Sequence, residues 1–228
     1  MVRPILSTND YVHAYNRGVD KRIVFNTSGD YARFIHTLYL SNDIEYTAIN
    51  YKRLNNVESS TLNMGDVFHV HSGRYLVDIL CFCLMPNHYH LLLKQLVDGG
   101  ISKFMQRVNT AYTNFFNLKN NRSGSLFEGR YKYKIITSDE YLLYLSQYIH
   151  LNPIKLIDPD WKIKGVSDWK QSNTFLETYK WSSYKDYIGI KNFPSIIKQD
   201  FLMEYYRTPE EYKKFINSFL VESLEKIS

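Results

Sequence analysis

Apolar residues recur at helical spacing in "GDYARFIHTLYLSND", where Tyr31, Phe34, Ile35, Leu38 and Tyr39 fall on one face and predict a first helix. Ahead of it, "YVHAYNRGVDKRIVF" opens with β-favouring residues and reaches the turn signal Asn16-Arg17-Gly18, which predicts a first strand over Tyr11–Tyr15. "RYLVDILCFCLMP" is apolar almost throughout and reads as a buried strand closed by Pro86. A tight Pro-Asn connection then starts another strand, "HYHLLLK". Beyond Gly99-Gly100, an amphipathic stripe of Ile101, Phe104, Met105, Val108, Tyr112, Phe115 and Phe116 predicts a second helix. A strand is predicted over Tyr131–Ile136. Next comes a helix in "SDEYLLYLSQYIHLNPIK", with Ser138 as N-cap and Pro153 as its stop.

This order is β-α-β-β-α-β followed by a helix, the arrangement of a ferredoxin-like α+β fold: an antiparallel sheet with helices on one face. Residues 42–74 are polar and show no sustained period, which predicts an insertion or long hairpin. Residues 1–157 are expected to form the main domain. Residues 158–228, aromatic and charged, form an extension with a closing helix in "PEEYKKFINSFLVESLEKI".

Composition adds a bias. The 228 residues include 20 Tyr and 13 Phe, and Lys plus Arg exceed Asp plus Glu to give a formal charge of +5. A basic, ring-rich chain suits a polyanion whose bases stack, namely nucleic acid. An AT-rich genome gives the same composition, so the partner stays open at this point. Cys81 and Cys83 lie in an apolar strand and read as buried free thiols of a reducing compartment. "MVRPILSTND" lacks the apolar core of a signal peptide, and no uncharged run reaches membrane-spanning length, so a cytoplasmic protein with no membrane partner is expected.

Two His-x-His pairs offer metal chemistry, "VFHVHSG" with His69 and His71 and "LMPNHYHLLL" with His88 and His90. Residues i and i+2 of a strand share a face, so two imidazoles can converge on one cation. Ordinary hydrogen-bonded histidines account for either pair equally well on spacing alone. Context separates them: His69 and His71 fall in the aperiodic segment, whereas His88 and His90 open a strand that continues into the core. A rigid central strand is the better support for a preorganised site.

"MPNHYHLLL" resembles the His-hydrophobic-His motif of the HUH single-strand transposases, the IS200-like superfamily, and in particular its REP-associated tyrosine transposases. "YVHAYNRGVDKRIVF", "GSLFEGRYK", "YIHLNPIK" and "KWSSYKDY" resemble further segments of that branch in the same order. The resemblance covers most of the chain outside residues 42–74, which have no counterpart, and a tyrosine, Tyr89, stands between the two histidines. It implies His88, His90 and Asn152 as metal ligands, Tyr148 as the nucleophile, Mg²⁺ or Mn²⁺ as the metal, and hairpin-bearing single-stranded DNA as the partner. Helical spacing agrees with part of this, because Tyr148 and Asn152 are i and i+4 and point the same way. Spacing alone does not choose among Tyr141, Tyr144 and Tyr148, while His150 points elsewhere on the helix.

The implied chemistry is nicking and rejoining of single-stranded DNA through a 5′-phosphotyrosine. Arg17, Arg130, Lys132 and Lys134 are candidates for backbone phosphate contacts, against the alternative of solvated charges beside a strand. Lys103, Arg107, Lys119 and Arg122 on the second helix are weaker candidates. His13 on the first strand is expected to be a structural residue near the site. Two other readings remain: a metal-dependent phosphodiesterase using water, and a non-catalytic module that stacks nucleic-acid bases. The expected setting is the cytoplasm of a prokaryote, at the nucleoid, with a monomer or homodimer left open.

Overall fold

The computed structural model describes residues 4–45 and 72–225. Four strands, β1 (Tyr11–Arg17), β2 (Val77–Met85), β3 (His88–Gln95) and β4 (Lys132–Ile136), form one antiparallel sheet in the order β2-β3-β1-β4. Between them run α1 (Ser28–Ser41) and α2 (Gly100–Lys119), and after them α3 (Asp139–Leu151). This is the ferredoxin-like α+β fold expected from the sequence. Beyond α3 come a 3-10 segment (Asn152–Leu156) and the single turn α4 (Trp161–Lys164). The chain closes with α5 (Trp169–Thr178), α6 (Tyr184–Tyr187), α7 (Asp200–Met203) and α8 (Pro209–Glu225).

The chain folds into two compact units. One comprises Met1–Asp78, Pro86–His88 and Leu93–Ile135; the other comprises Ile79–Met85, Tyr89–Leu92 and Ile136–Ser228.

In the first unit, Thr27 caps α1 through a reciprocal box with Asp30, whose fully buried carboxylate also takes the Lys119 ammonium at 2.6 Å. The backbone N–H groups of Asn26 and Thr27 and a cation satisfy a charge that would otherwise be costly to bury. Phe25, Phe34 and Tyr112 interlock edge-on and tilted at 5.0–5.3 Å between centroids, and the Tyr112 hydroxyl donates to the Val24 carbonyl. β1 runs two residues past the predicted end at Tyr15. The Arg17 carbonyl accepts from Glu128, the Gly18 N–H donates to Asn87, and the Asn16 amide reaches Gly129, so long-range pairing outlasts the local turn signal. Gly18 is required by crowding, since a Cβ there would collide with the Arg22 carbonyl.

The described ends of the 42–74 segment close on each other. Ile44 donates to the Arg74 carbonyl at 3.0 Å, Asp43 bridges Tyr75, and the Asn42 side chain accepts from Leu76 and Val77. His69 and His71 lie outside the described residues.

In the second unit, the segment from Tyr179 to Tyr187 is laid along β2. Leu84 donates to the Trp181 carbonyl, Phe82 exchanges bonds with Ser183, and the Tyr179 and Tyr187 hydroxyls donate to the Leu84 and Leu80 carbonyls. β2 is an edge strand, and these bonds cover the backbone groups that an open edge would expose. The "KWSSYKDY" phrase, with Tyr179 just before it, is thus an edge cover in which Ser182, Ser183 and Tyr187 bond to β2. Cys81 and Cys83 are both free and buried, as expected. The α-helix ends at Leu151, just ahead of Pro153 as expected, and the chain continues as a 3-10 segment to Leu156, whose first turn needs no proline N–H. Among the described residues, no helix is long and apolar enough to cross a membrane.

Candidate active site

Ser138 caps α3, its hydroxyl accepting from the Tyr141 N–H, and Asp139 and Glu140 follow in the first turn, where carboxylates complement the helix dipole. Three turns on, the half-buried ring of Tyr148 meets the His90 ring edge-on, with centroids 5.6 Å apart and planes at 86°. Tyr141 and Tyr144 instead stack on each other at 6.1 Å, and Tyr144 is 47% exposed. The ammonium of Lys162, brought by α4, sits 3.9 Å from the centroid of the Tyr148 ring.

Asn152 lies one turn after Tyr148 and is buried. Its Nδ2 donates to the Tyr148 carbonyl at 2.9 Å, which fixes the amide and leaves Oδ1, the harder donor atom, for another partner.

His88 and His90 share a face of β3 by strand alternation. In the first unit, the Asn87 amide nitrogen donates to the Lys21 carbonyl, and its oxygen faces His88 Nδ1 at 2.6 Å. A carboxamide oxygen only accepts, so Nδ1 carries the proton and the lone pair stands on Nε2. That is the tautomer and outer-shell support typical of a metal-binding imidazole. Imidazole nitrogen and amide oxygen are both donor types that suit a divalent cation. Among the described residues, no group of three or more His, Cys, Asp or Glu side chains forms an alternative site.

Residues 46–152 match the model of the IS200-like transposase family. Over that span, just under half of its length, the chain is similar to the IS200-like transposases. Among solved structures, a REP-associated tyrosine transposase bound to a REP hairpin is similar at 16% identity over 87% of this chain and 90% of that one, with a TM-score of 0.47. A candidate transposase from Deinococcus radiodurans R1 is similar at 15% identity over 65% of this chain and 94% of that one, with a TM-score of 0.26. No curated protein matches the chain.

The basic residues of the chain are unequally placed. Arg17 and Lys132 share one carboxylate, Glu128, at 2.8 and 3.4 Å, and the Arg17 hydrogen bond is the main cause holding that carboxyl below its usual range. Arg130 and Lys134 are exposed. Of the four cations expected on the second helix, Arg122 lies beyond its end at Lys119, and three of the four have structural partners. Arg107 donates to the Ser41 and Asp43 carbonyls, Lys119 binds Asp30, and Arg122 bonds Asn117 and the Ser125 carbonyl. His13 is buried on β1 against Tyr15, and burial, aided by Lys134, pushes its imidazole down to about 4.

Two features go beyond what the sequence pattern predicts. Lys162 lies fourteen residues beyond Tyr148 in a short turn with no period to read. The other is an open groove of about 830 Å³ in the first unit, lined by Gln106, Asn109, Thr110 and Asn114 of α2 with Arg130 opposite and no carboxylate. A signal for it exists in the chain, since those α2 residues repeat at i, i+3, i+4 and i+8 as an uncharged polar face.

Proposed function

We propose that this chain is a transposase that nicks and rejoins single-stranded DNA through a covalent 5′-phosphotyrosine on Tyr148, with Mg²⁺ or Mn²⁺ held by His88, His90 and Asn152. The observation that carries this reading is the Tyr148–His90 ring contact, with Asn152 one helical turn away and its amide oxygen left for a ligand. The cation supplies Lewis-acid polarisation of a phosphodiester oxygen. The Tyr148 hydroxyl then forms a bond to phosphorus as the bond to the 3′-oxygen breaks. The phenolic proton ends on the released 3′-hydroxyl. The link retains the bond energy, so attack by another 3′-hydroxyl reverses the step and rejoins DNA without an added energy source.

The α2 groove supports the nucleic-acid side of the reading. It combines one cation with amides and hydroxyls that suit base edges and phosphates, and its lining has no carboxylate. The REP-associated phrases extend the proposed substrate to hairpin-flanked DNA. On this reading residues 1–157 are the catalytic domain and 158–228 an extension, acting in the cytoplasm as a monomer or homodimer.

The test is incubation with labelled single-stranded oligonucleotides and Mn²⁺, followed by denaturing electrophoresis. A denaturation-resistant adduct is expected for the wild type and none for Tyr148→Phe. Cleavage without an adduct would transfer the role of nucleophile to water.

A further inference from the structure

Lys162 is placed as few surface lysines are. Its turn is pinned by the buried Trp161, whose ring meets Phe219 at 6.3 Å, and by Asp158, whose carboxylate takes both the N–H and the hydroxyl of Ser167. From this turn the ammonium reaches over the Tyr148 ring at 3.9 Å from its centroid, well inside the range at which a cation is attracted to a ring face. The Trp161 ring lies further off, at 5.5 Å. Among the described residues Lys162 makes no ion pair with a carboxylate. Loss of hydration, with the nearby Lys155 adding to it, pushes its ammonium down to about 8, and Cys83 opposes this weakly. Lys155 and Lys162 are both exposed, so an anion can reach these two like charges.

We propose that Lys162 is the positioning residue for Tyr148: its ammonium holds the phenol ring in one orientation and gives the site its positive charge for a phosphodiester. The inference rests on Tyr148 being the nucleophile. The neighbours of the ring include the His90 ring, set nearly perpendicular to it, and the Lys162 cation, which limit the directions in which its hydroxyl can point. Misdirection of an attacking atom by about 1 Å is enough to cost roughly a hundredfold in rate. The role also gives the 158–228 extension a part in the chemistry, through α4.

Lys162→Met keeps the stem and removes the charge; Lys162→Arg keeps a cation able to stack on the ring. Adduct formation is measured against oligonucleotide concentration. Lys162→Met should lower the saturating rate about 10- to 100-fold with less than about a threefold change in half-saturation, and Lys162→Arg should recover most of it. A saturating rate within about twofold of wild type, whether or not half-saturation rises, would overturn the positioning role. A second readout needs no activity: the ring NMR signals of Tyr148, assigned by their loss in Tyr148→Phe. They should move in Lys162→Met and be retained in Lys162→Arg, and unmoved signals in Lys162→Met would also overturn the proposal. A wild type that forms no adduct sinks the nucleophile reading, and with it the positioning of a nucleophile; an adduct with unmoved signals sinks the Lys162 role alone.

Discussion

Tyr148 and His150 are two residues apart on α3, and their surroundings differ in kind. His150 is fully buried, and both ring nitrogens are engaged, Nδ1 with the Tyr212 hydroxyl at 2.6 Å and Nε2 with the Ser183 hydroxyl at 2.7 Å. Tyr184, Tyr187 and Tyr212 surround it at 5.3–5.7 Å. Every polar atom of that imidazole is used, and burial holds it neutral, its pKa pushed down to about 3. On the other side, Tyr148 is half-buried, meets the edge of His90, and carries a lysine ammonium on its face. The same residue types therefore build a sealed clamp on one side of the helix and a charged opening on the other.

The contrast breaks most sharply at Tyr148. Tyr148→Phe should lower adduct formation by at least about a thousandfold while the circular dichroism melt stays close to wild type. Asn152→Ala should raise the Mn²⁺ concentration for half-maximal adduct formation by about tenfold or more, because the proposed oxygen ligand is lost. On the clamp side, His150→Ala should cost about 2–4 kcal/mol in urea unfolding, since it leaves a cavity and strands two hydroxyls. Below its melting temperature this variant should keep its adduct rate within a few-fold; loss of activity in a folded His150→Ala would erase the distinction between the two sides.

The same clamp sets a pH dependence. The folded pKa of His150 lies below the unfolded value near 6.5, so the unfolded chain binds more protons between those values. Its stabilisation is full above about pH 6.5 and is lost as pH falls towards 3, by up to about 1.4 kcal/mol per pH unit. His13, pushed down to about 4, adds to the loss in the same window. Melting temperatures from pH 7 to pH 4 should fall less steeply in His150→Gln. The smallest effect is expected at Tyr144, exposed on the same helix: Tyr144→Phe should change stability by less than about 0.5 kcal/mol and leave the adduct rate within twofold.

Much of the scaffold was legible because its signals are local. The α1 stripe, the apolar run of β2 and the Ser138 cap each fix their element within a few residues of chain. The end of β1 was misjudged because Asn16, Arg17 and Gly18 find partners at Gly129, Glu128 and Asn87, contacts that a turn signal does not encode. The spacing of Tyr148 and Asn152 was readable from helical geometry, and the place of His88 and His90 at the start of a strand from the apolar run that follows them. Lys162 was not, since its link to Tyr148 is a fold that brings α4 back over α3. The pairing of Arg17 and Lys132 with Glu128 was hidden for the same reason, a contact across more than a hundred residues in the case of Arg17.

The central claim is that one tyrosine of the three on α3 carries the DNA. Adduct formed with Mn²⁺ and a single-stranded oligonucleotide can be digested with protease and nuclease, and the modified residue located by peptide fragmentation in a mass spectrometer. The account predicts a nucleotide 5′-phosphate on Tyr148. A nucleotide on Tyr141 or Tyr144, or strand cleavage with no modified tyrosine, would contradict it.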